Sequence, residues 1–352
     1  MSTASISECI SESGAQWHVQ DNDLCAPSDF GNPSAEYEAV SQQCALHYAG
    51  HWGRLLFSGS EHAAFLHRMT TNHFLELRNE QGFEAVFTEN RGRIIDVGTF
   101  YHRADQTLGI VSPANRQAIP NWLDRYIFAE DIIINDIGDS TSSFELIGPE
   151  TGAFAAALWG ISLDDLPPHQ LAHCDDPQLW IAKLDLPWTG LRLIGPSETL
   201  ASLWRIITER GISPLGETAW NLRRMELGIP LFNSELNEEH NPWEAGLGRA
   251  IHMNKGCYIG QEVIARLDTY DKVKQHLVGL SIEPETLPAP GTTLYGEQGP
   301  VGAITSSAQS PAFGSIALAY IRRAYCTPGT LLHLGNNGPS CRVHALPFSA
   351  LC

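Results

Sequence analysis

Lys255-Gly256-Cys257-Tyr258-Ile259-Gly260-Gln261-Glu262, continuing through Val263-Ile264 to Ala265-Arg266, is the stretch from which the rest of the chain is best read. Two glycines bracket a Cys-Tyr pair, which allows a tight backbone path and the close approach of another group. The spacing predicts a helix starting near Gly260 or Gln261, on which Glu262 and Arg266 stand four apart, the separation at which opposite charges meet. Cys257 then lies just before a helix N-terminus and two residues from Lys255, and both features favour a thiolate. The competing reading of the same residues is a small buried cysteine packed into a glycine-rich turn.

Downstream of the motif the composition shifts after Asp271. Leu277 to Ile282, Thr292 to Tyr295, Val301 to Ser306, Ser315 to Ile321 and Leu331 to Leu334 read as short strands separated by Pro-Gly, Gly-Glu-Gln-Gly and Asn-Asn-Gly turns, the pattern of a small barrel. Upstream, strand-like and helix-like pieces mix. Phe83 to Phe87 and Arg93 to Tyr101 read as strands joined through Glu89-Asn90-Arg91-Gly92, and Thr199 to Arg210 and Glu217 to Leu227 read as helices. Tyr37, Val40, Cys44 and His47 fall at helical spacing. Hairpins without regular β-α-β alternation indicate an α+β fold rather than a doubly wound sheet. No Gly-x-Gly-x-x-Gly or P-loop is present. The expected organisation is a loosely ordered arm over 1–36, an α+β region of two interleaved modules over 37–271, and a β-barrel over 272–352.

With 43% hydrophobic and 18% charged residues, the chain can bury a substantial core. A net charge of −18 disfavours nucleic acid as a general partner. No apolar run approaches the roughly 20 residues that span a bilayer. The N-terminus has neither a basic n-region nor an apolar h-region, so the cytoplasm is the expected location. The cysteines at 9, 25, 44, 174, 257, 326, 341 and 352 are scattered, with no Cys-x-x-Cys pair to suggest zinc or a disulfide framework. Glu238-Glu239-His240 reads as an exposed acidic loop, and no metal site is expected. Trp17, Trp52, Trp122, Trp188 and Trp243 read as core anchors, any one of which could instead line a pocket for a flat ring.

The Lys-Gly-Cys-Tyr-x-Gly-Gln-Glu block followed by Ala-Arg resembles the defining motif of the YgfZ/IBA57 folate-binding branch of the glycine-cleavage T-protein (aminomethyltransferase) superfamily, position for position from Lys255 to Glu262 and at Ala265-Arg266. Weaker likeness extends to Gly53-Arg54-Leu55, Phe65-Leu66, Met69-Thr70-Thr71-Asn72, Asn90 to Asp96, Arg224-Met225-Glu226-Leu227-Gly228 and the barrel over 275–348. The resemblance implies a three-module architecture around a central folate pocket. It also implies tetrahydrofolate, or a one-carbon derivative, as cofactor and a part in assembly or repair of iron–sulfur proteins.

On this basis Glu226 is the expected acceptor of the pterin's adjacent amino and ring N–H groups, a pair that one carboxylate can take bidentately. Arg224, Lys255 and Arg266 are candidates for the anionic folate tail, with Tyr258 in the same cofactor-binding set. Cys257 is the expected key residue, as nucleophile or transient ligand. Aminomethyltransferases of the superfamily carry two adjacent aspartates after the glycine turn; here the pair is Asp96-Val97. One of the two acts near the folate nitrogen that accepts the one-carbon unit; Asp96 matches the first and is a catalytic candidate beside Cys257, with a structural role, capping the turn or pairing with Arg93, as its open alternative. The missing carboxylate weighs against aminomethyl transfer. That activity, methyl transfer and a non-catalytic interaction scaffold are the alternatives.

Overall fold

The computed structural model describes residues 5–18, 26–185, 187, 189–283, 287–336 and 338–349. Trp188, Cys25 and Cys352 lie outside the described residues. The chain separates into two compact units interleaved in sequence. The first comprises 1–67, 73–85 and 98–221; the second comprises 68–72, 86–97 and 222–352. The division passes through strands Gly82–Thr88 and Ile94–Arg103 and through helix Glu217–Leu227.

The mixed α and β elements and the closed barrel are those the sequence indicates. One five-stranded sheet runs in the order Trp180–Lys183, Gly190–Pro196, Thr141–Ile147, Ala45–Tyr48, Ser213–Leu215, antiparallel except for its last pair. A second runs Gly82–Thr88, Ile94–Arg103, Gln106–Val111, Gly53–Ser58, Ile133–Asp136. Helix Ser197–Glu209 explains how the first sheet is covered: Leu200, Ala201, Trp204 and Ile207 recur on one face, are all buried, and join Leu46, Phe144, Leu191 and Leu193 in one apolar cluster.

Two local expectations are corrected. The helix beginning at Pro33 ends at Gln42, and Ala45–Tyr48 is a strand, so His47 does not continue the helical face of Tyr37 and Val40. Pairing with Thr141–Ile147 on one side and Ser213–Leu215 on the other outweighs a spacing compatible with helix. The segment expected as a loose arm carries helix Ile6–Glu12, closed by a Ser5/Glu8 capping box and burying Cys9 and Ile10. Trp204, which the sequence did not single out, is the largest fully buried side chain, and its indole donates to Ser13 Oγ at 2.9 Å.

In the second unit six strands close a barrel in the order Gln275–Glu283, Gly314–Arg322, Gly299–Ser310, Thr293–Gly296, Leu331–Leu334, Ser340–His344. Val278, Leu280 and Ile282 alternate into its core with Ala317, Ala319 and Ile321, and with Leu332 and Leu334. Strand Gly314–Arg322 is apolar on both faces because its outer face is covered as well. Ile316 and Leu318 meet Met225 and Phe348, and Tyr320 joins Val86, Ile94, Leu236 and Leu247.

Candidate functional site

The Lys255–Glu262 motif is a loop leading into helix Gln261–Thr269, and its route is set by two other pieces of the second unit. The segment 68–72 takes one side: Arg68 O accepts from Ile259 N at 3.1 Å, and Thr71 O accepts from His252 N at 3.0 Å. The Thr71 hydroxyl donates to Ala250 O at 2.6 Å and accepts from Val86 N. The hairpin 88–93 takes the other: Thr88 Oγ1 donates to Ile259 O at 2.6 Å. Gly260 has φ +83°, and a Cβ there would fall 2.7 Å from Glu89 O and 3.0 Å from Gly92 Cα. Only glycine satisfies both the left-handed backbone and that approach, which gives the second glycine of the motif its physical reason.

Lys255 is buried. Its Nζ donates to Thr70 O and Asn72 O, each at 2.7 Å, and stands 4.8 Å from the centroid of the Tyr258 ring. Burial lowers the lysine from 10.5 to about 7 and raises the Tyr258 phenol to about 12. Two residues from Cys257, the amine is thus engaged with the backbone of 70–72, where the sequence suggested a cation serving the thiol or a folate tail. Cys257 itself is exposed, as are its neighbours Met253, Asn254 and Gly256. Arg266 and Glu262 are exposed on the following helix. The reading of Cys257 as a packed core cysteine is excluded by that exposure.

Glu226 is not a solvated helix residue: it is 1% exposed. Its Oε1 accepts from Ser310 Oγ at 2.6 Å, and its Oε2 accepts from Arg223 at 2.7 Å. A buried carboxylate is the kind of acceptor that a pterin's paired N–H groups call for. Arg223, three residues away, and Ser310 were not singled out from sequence; helical i, i+3 spacing signals the first, and nothing local signals the second.

Arg224 points elsewhere. Its guanidinium donates to Glu235 Oε2 at 2.8 Å, Ile229 O at 3.1 Å and Ser306 Oγ at 3.2 Å, with both members of the ion pair buried. It therefore holds the second unit together. Asp96 is fully buried and its Oδ1 accepts from Val97 N at 2.8 Å. The suggested Arg93 partner instead reaches Glu239 O at 2.7 Å and Glu244 at 3.5 Å. The second unit thus gathers Lys255, Cys257, Tyr258 and the hairpin leading to Asp96 around 68–72, while Glu226 sits against Ser310 of the barrel.

A buried ionic cluster in the first unit has no counterpart in the sequence reading. His47 Nε2 lies 2.8 Å from Glu217 and its Nδ1 3.5 Å from Glu145. Arg192 donates to Glu145 Oε1 through Nε and a terminal nitrogen, at 3.0 and 2.6 Å, and also reaches the Tyr101 hydroxyl at 3.3 Å. The His47 ring stacks on Trp220 with centroids 5.0 Å apart. Burial alone would depress the imidazole, but the charges of Glu217 and Glu145 prevail and raise it from 6.5 to about 9. Glu145, despite its burial, is held at about 2 by Arg192 and His47. His51, near the same Glu217, is depressed by burial.

The sign for stability follows from the raised value. The His47 contribution is fully present below pH 6.5 and is lost as pH rises through about 9. It amounts to up to about 3 kcal/mol for a shift of this size. Urea unfolding at pH 6 and pH 9.5 should show the protein losing more stability than His47→Gln does. Parallel pH profiles would refute the assignment.

An α+β region bearing a hairpin and a glycine-bracketed motif, followed by a closed six-stranded barrel, is the aminomethyltransferase class of architecture. The GCVT N-terminal domain matches residues 6–255 and the glycine cleavage T-protein C-terminal barrel domain matches residues 275–349; this chain belongs to the glycine cleavage T-protein family. It is 33% identical over 316 residues to a chloroplastic protein of Arabidopsis thaliana named as a transferase, covering 88% of this chain and 72% of that one. It is 30% identical over 306 residues to the aminomethyltransferase of Rubrobacter xylanophilus, covering 84% and 80%. The crystal structure of the glycine cleavage system aminomethyltransferase T from Bartonella henselae superposes with a TM-score of 0.87 over 97% of this chain and 96% of that one, at 19% identity, which speaks for the fold. Among the described residues no helix is long and apolar enough to cross a membrane.

Proposed function

We propose that this protein is a tetrahydrofolate-binding auxiliary factor of the YgfZ/IBA57 type that serves assembly or repair of iron–sulfur proteins, with Cys257 as its working residue. The observation that carries this reading is an exposed thiol on a loop whose other members are fastened. Lys255 and Tyr258 are buried beside it, Ile259 is bonded at both its N–H and C=O, and Gly260 admits no side chain. A nucleophile or transient ligand offered to another protein needs both properties, exposure to be reached and a fixed backbone to be presented.

Folate is supported by family membership and by the fit of Glu226, which would hold the pterin with Arg223 and Ser310 orienting its carboxylate. Bound tetrahydrofolate would supply a nitrogen able to accept a one-carbon unit. Of the three cations that could meet the tail, Arg224 and Lys255 are engaged within the fold and Arg266 is exposed, so Arg266 is the preferred one. In this reading 37–271 is the folate-binding region, 272–352 the appended barrel, and the setting a reducing one such as the cytoplasm, in keeping with six free cysteines among the described residues.

Anaerobic calorimetric titration with tetrahydrofolate tests the cofactor. Saturable binding is expected, and Glu226→Gln, which keeps volume and helix, should weaken it by about 1–3 kcal/mol. An absence of saturable binding removes folate from the reading. Aminomethyl transfer remains the second reading, because relatives of that name align over most of the chain. Asp96-Val97 in place of paired aspartates disfavours it, and tetrahydrofolate-dependent release of ammonia from an aminomethyl-lipoyl carrier protein would establish it.

A further inference from the structure

The segment from helix Ala118–Asp124 into strand Ile133–Asp136 presents apolar side chains outward. Phe128 is 86% exposed, Ile133 54% and Tyr126 38%, and Trp122 packs on Tyr126 with centroids 5.2 Å apart. Aromatic side chains left this open are ordinarily excused by mobility, but here the turn that carries Phe128 is braced. Glu130 Oε2 accepts from Phe128 N at 2.9 Å and Ala129 N at 3.2 Å. Asp131 Oδ2 accepts from the backbone and hydroxyl of Ser60, Asp131 N donates to Glu61, and Glu61 N donates to Asp131 O. Ile133–Asp136 is also the terminal strand of its sheet, paired on one side with Gly53–Ser58. A rigid aromatic anchor beside an open strand edge has the composition of a docking site.

The charge around it selects the occupant. Asp124, Asp131 and Glu61 are exposed, with Glu130 partly so, against Arg125 alone within the patch. Arg116, the next basic residue, is bonded to Asp136 and Asp139. Acidic and basic side chains are equal in number in the second unit, so the entire net charge of −18 resides in the first. A second copy of this chain would therefore bring acidic rim against acidic rim, a repulsive pairing.

We propose that the surface formed by Trp122, Tyr126, Phe128, Ile133 and the outer edge of Ile133–Asp136 docks an extended, lysine- or arginine-rich segment of a partner protein. The segment's apolar residue would seat against Phe128, and its backbone would add to the strand edge. Phe128 supplies the anchor, and the carboxylates of Asp124, Asp131 and Glu61 receive the flanking cations.

The probe is a short fluorescein-labelled peptide alternating lysine with leucine and phenylalanine, titrated into the full chain at about 0.1 M salt, with a glutamate-for-lysine counterpart as control. The expected result is saturable binding of the basic peptide, weakened about tenfold by Phe128→Ser. Amide exchange should slow across 133–136 when the peptide is bound, and the glutamate peptide should not bind. Phe128 is exposed, so its replacement leaves the melting temperature unchanged. Equal binding by Phe128→Ser, binding of the glutamate peptide, or no binding at all would overturn the proposal. So would sedimentation showing a dimer that Phe128→Ser dissociates, since that assigns the face to a second copy.

Discussion

Glu235→Ala destabilises the second unit by about 3–5 kcal/mol in urea unfolding, a larger effect than loss of the His47 charge. Four groups converge on that carboxylate: Arg224 at 2.8 Å, Leu231 N at 3.0 Å, Thr305 Oγ1 at 2.8 Å and Ser306 Oγ at 2.5 Å. Alanine removes the acceptor of all four at once and takes the Glu235 carboxylate away from the buried Arg224 guanidinium. The cost is dominated by keeping that cation buried after its Glu235 bond is lost rather than by the worth of the pair. Replacing both partners with methionine should accordingly recover much of the loss. Glu235→Ala within 1 kcal/mol of the parent protein, or a double variant no better than the single, would mean that Arg224 finds another partner. It would then be available for the ligand role first suggested by its sequence context.

The same residue shows where sequence reasoning gives out. Arg224 and Glu226 lie two apart on one helix, and the sequence offered both as ligands of a folate, one for its tail and one for its pterin. That Glu226 meets Ser310 while Arg224 meets Ser306 and Glu235 depends on residues more than eighty positions away or beyond a turn. Helical spacing does foretell the Arg223–Glu226 pair, because i, i+3 is a local relation. The barrel was legible for a similar reason: short strand-like runs such as Leu277 to Ile282 and Ser315 to Ile321, separated by turn residues, specify strands without reference to anything distant. The His47 cluster was illegible because its members come from positions 47, 101, 145, 192 and 217, and no window contains two of them. His47 itself was misplaced onto a helix. Strand pairing, absent from any local pattern, decides the conformation there. For the motif, the glycines announced a close approach, but only the structure names Glu89 and Gly92 as what approaches.

Cys257→Ala should abolish support of iron–sulfur client enzymes while leaving fold and folate affinity unchanged. The thiol is exposed, so its truncation lies among surface substitutions that shift stability by no more than about 0.5 kcal/mol. The loop is held by bonds the thiol does not make: the Lys255 amine to Thr70 O and Asn72 O, Thr88 to Ile259 O, and Ile259 N to Arg68 O. Complementation of a strain lacking the protein, read as the activity of an iron–sulfur enzyme, separates chemistry from structure. The alanine variant should fall to the level of no protein at all. Lys255→Met should fall as well, but through a displaced loop, which a lowered melting temperature reports. An alanine variant that folds and fully supports its clients removes the thiol from the mechanism. One that loses folate binding instead moves Cys257 into the ligand site, and the exposed loop would then be the mouth of that site rather than a surface offered to a client.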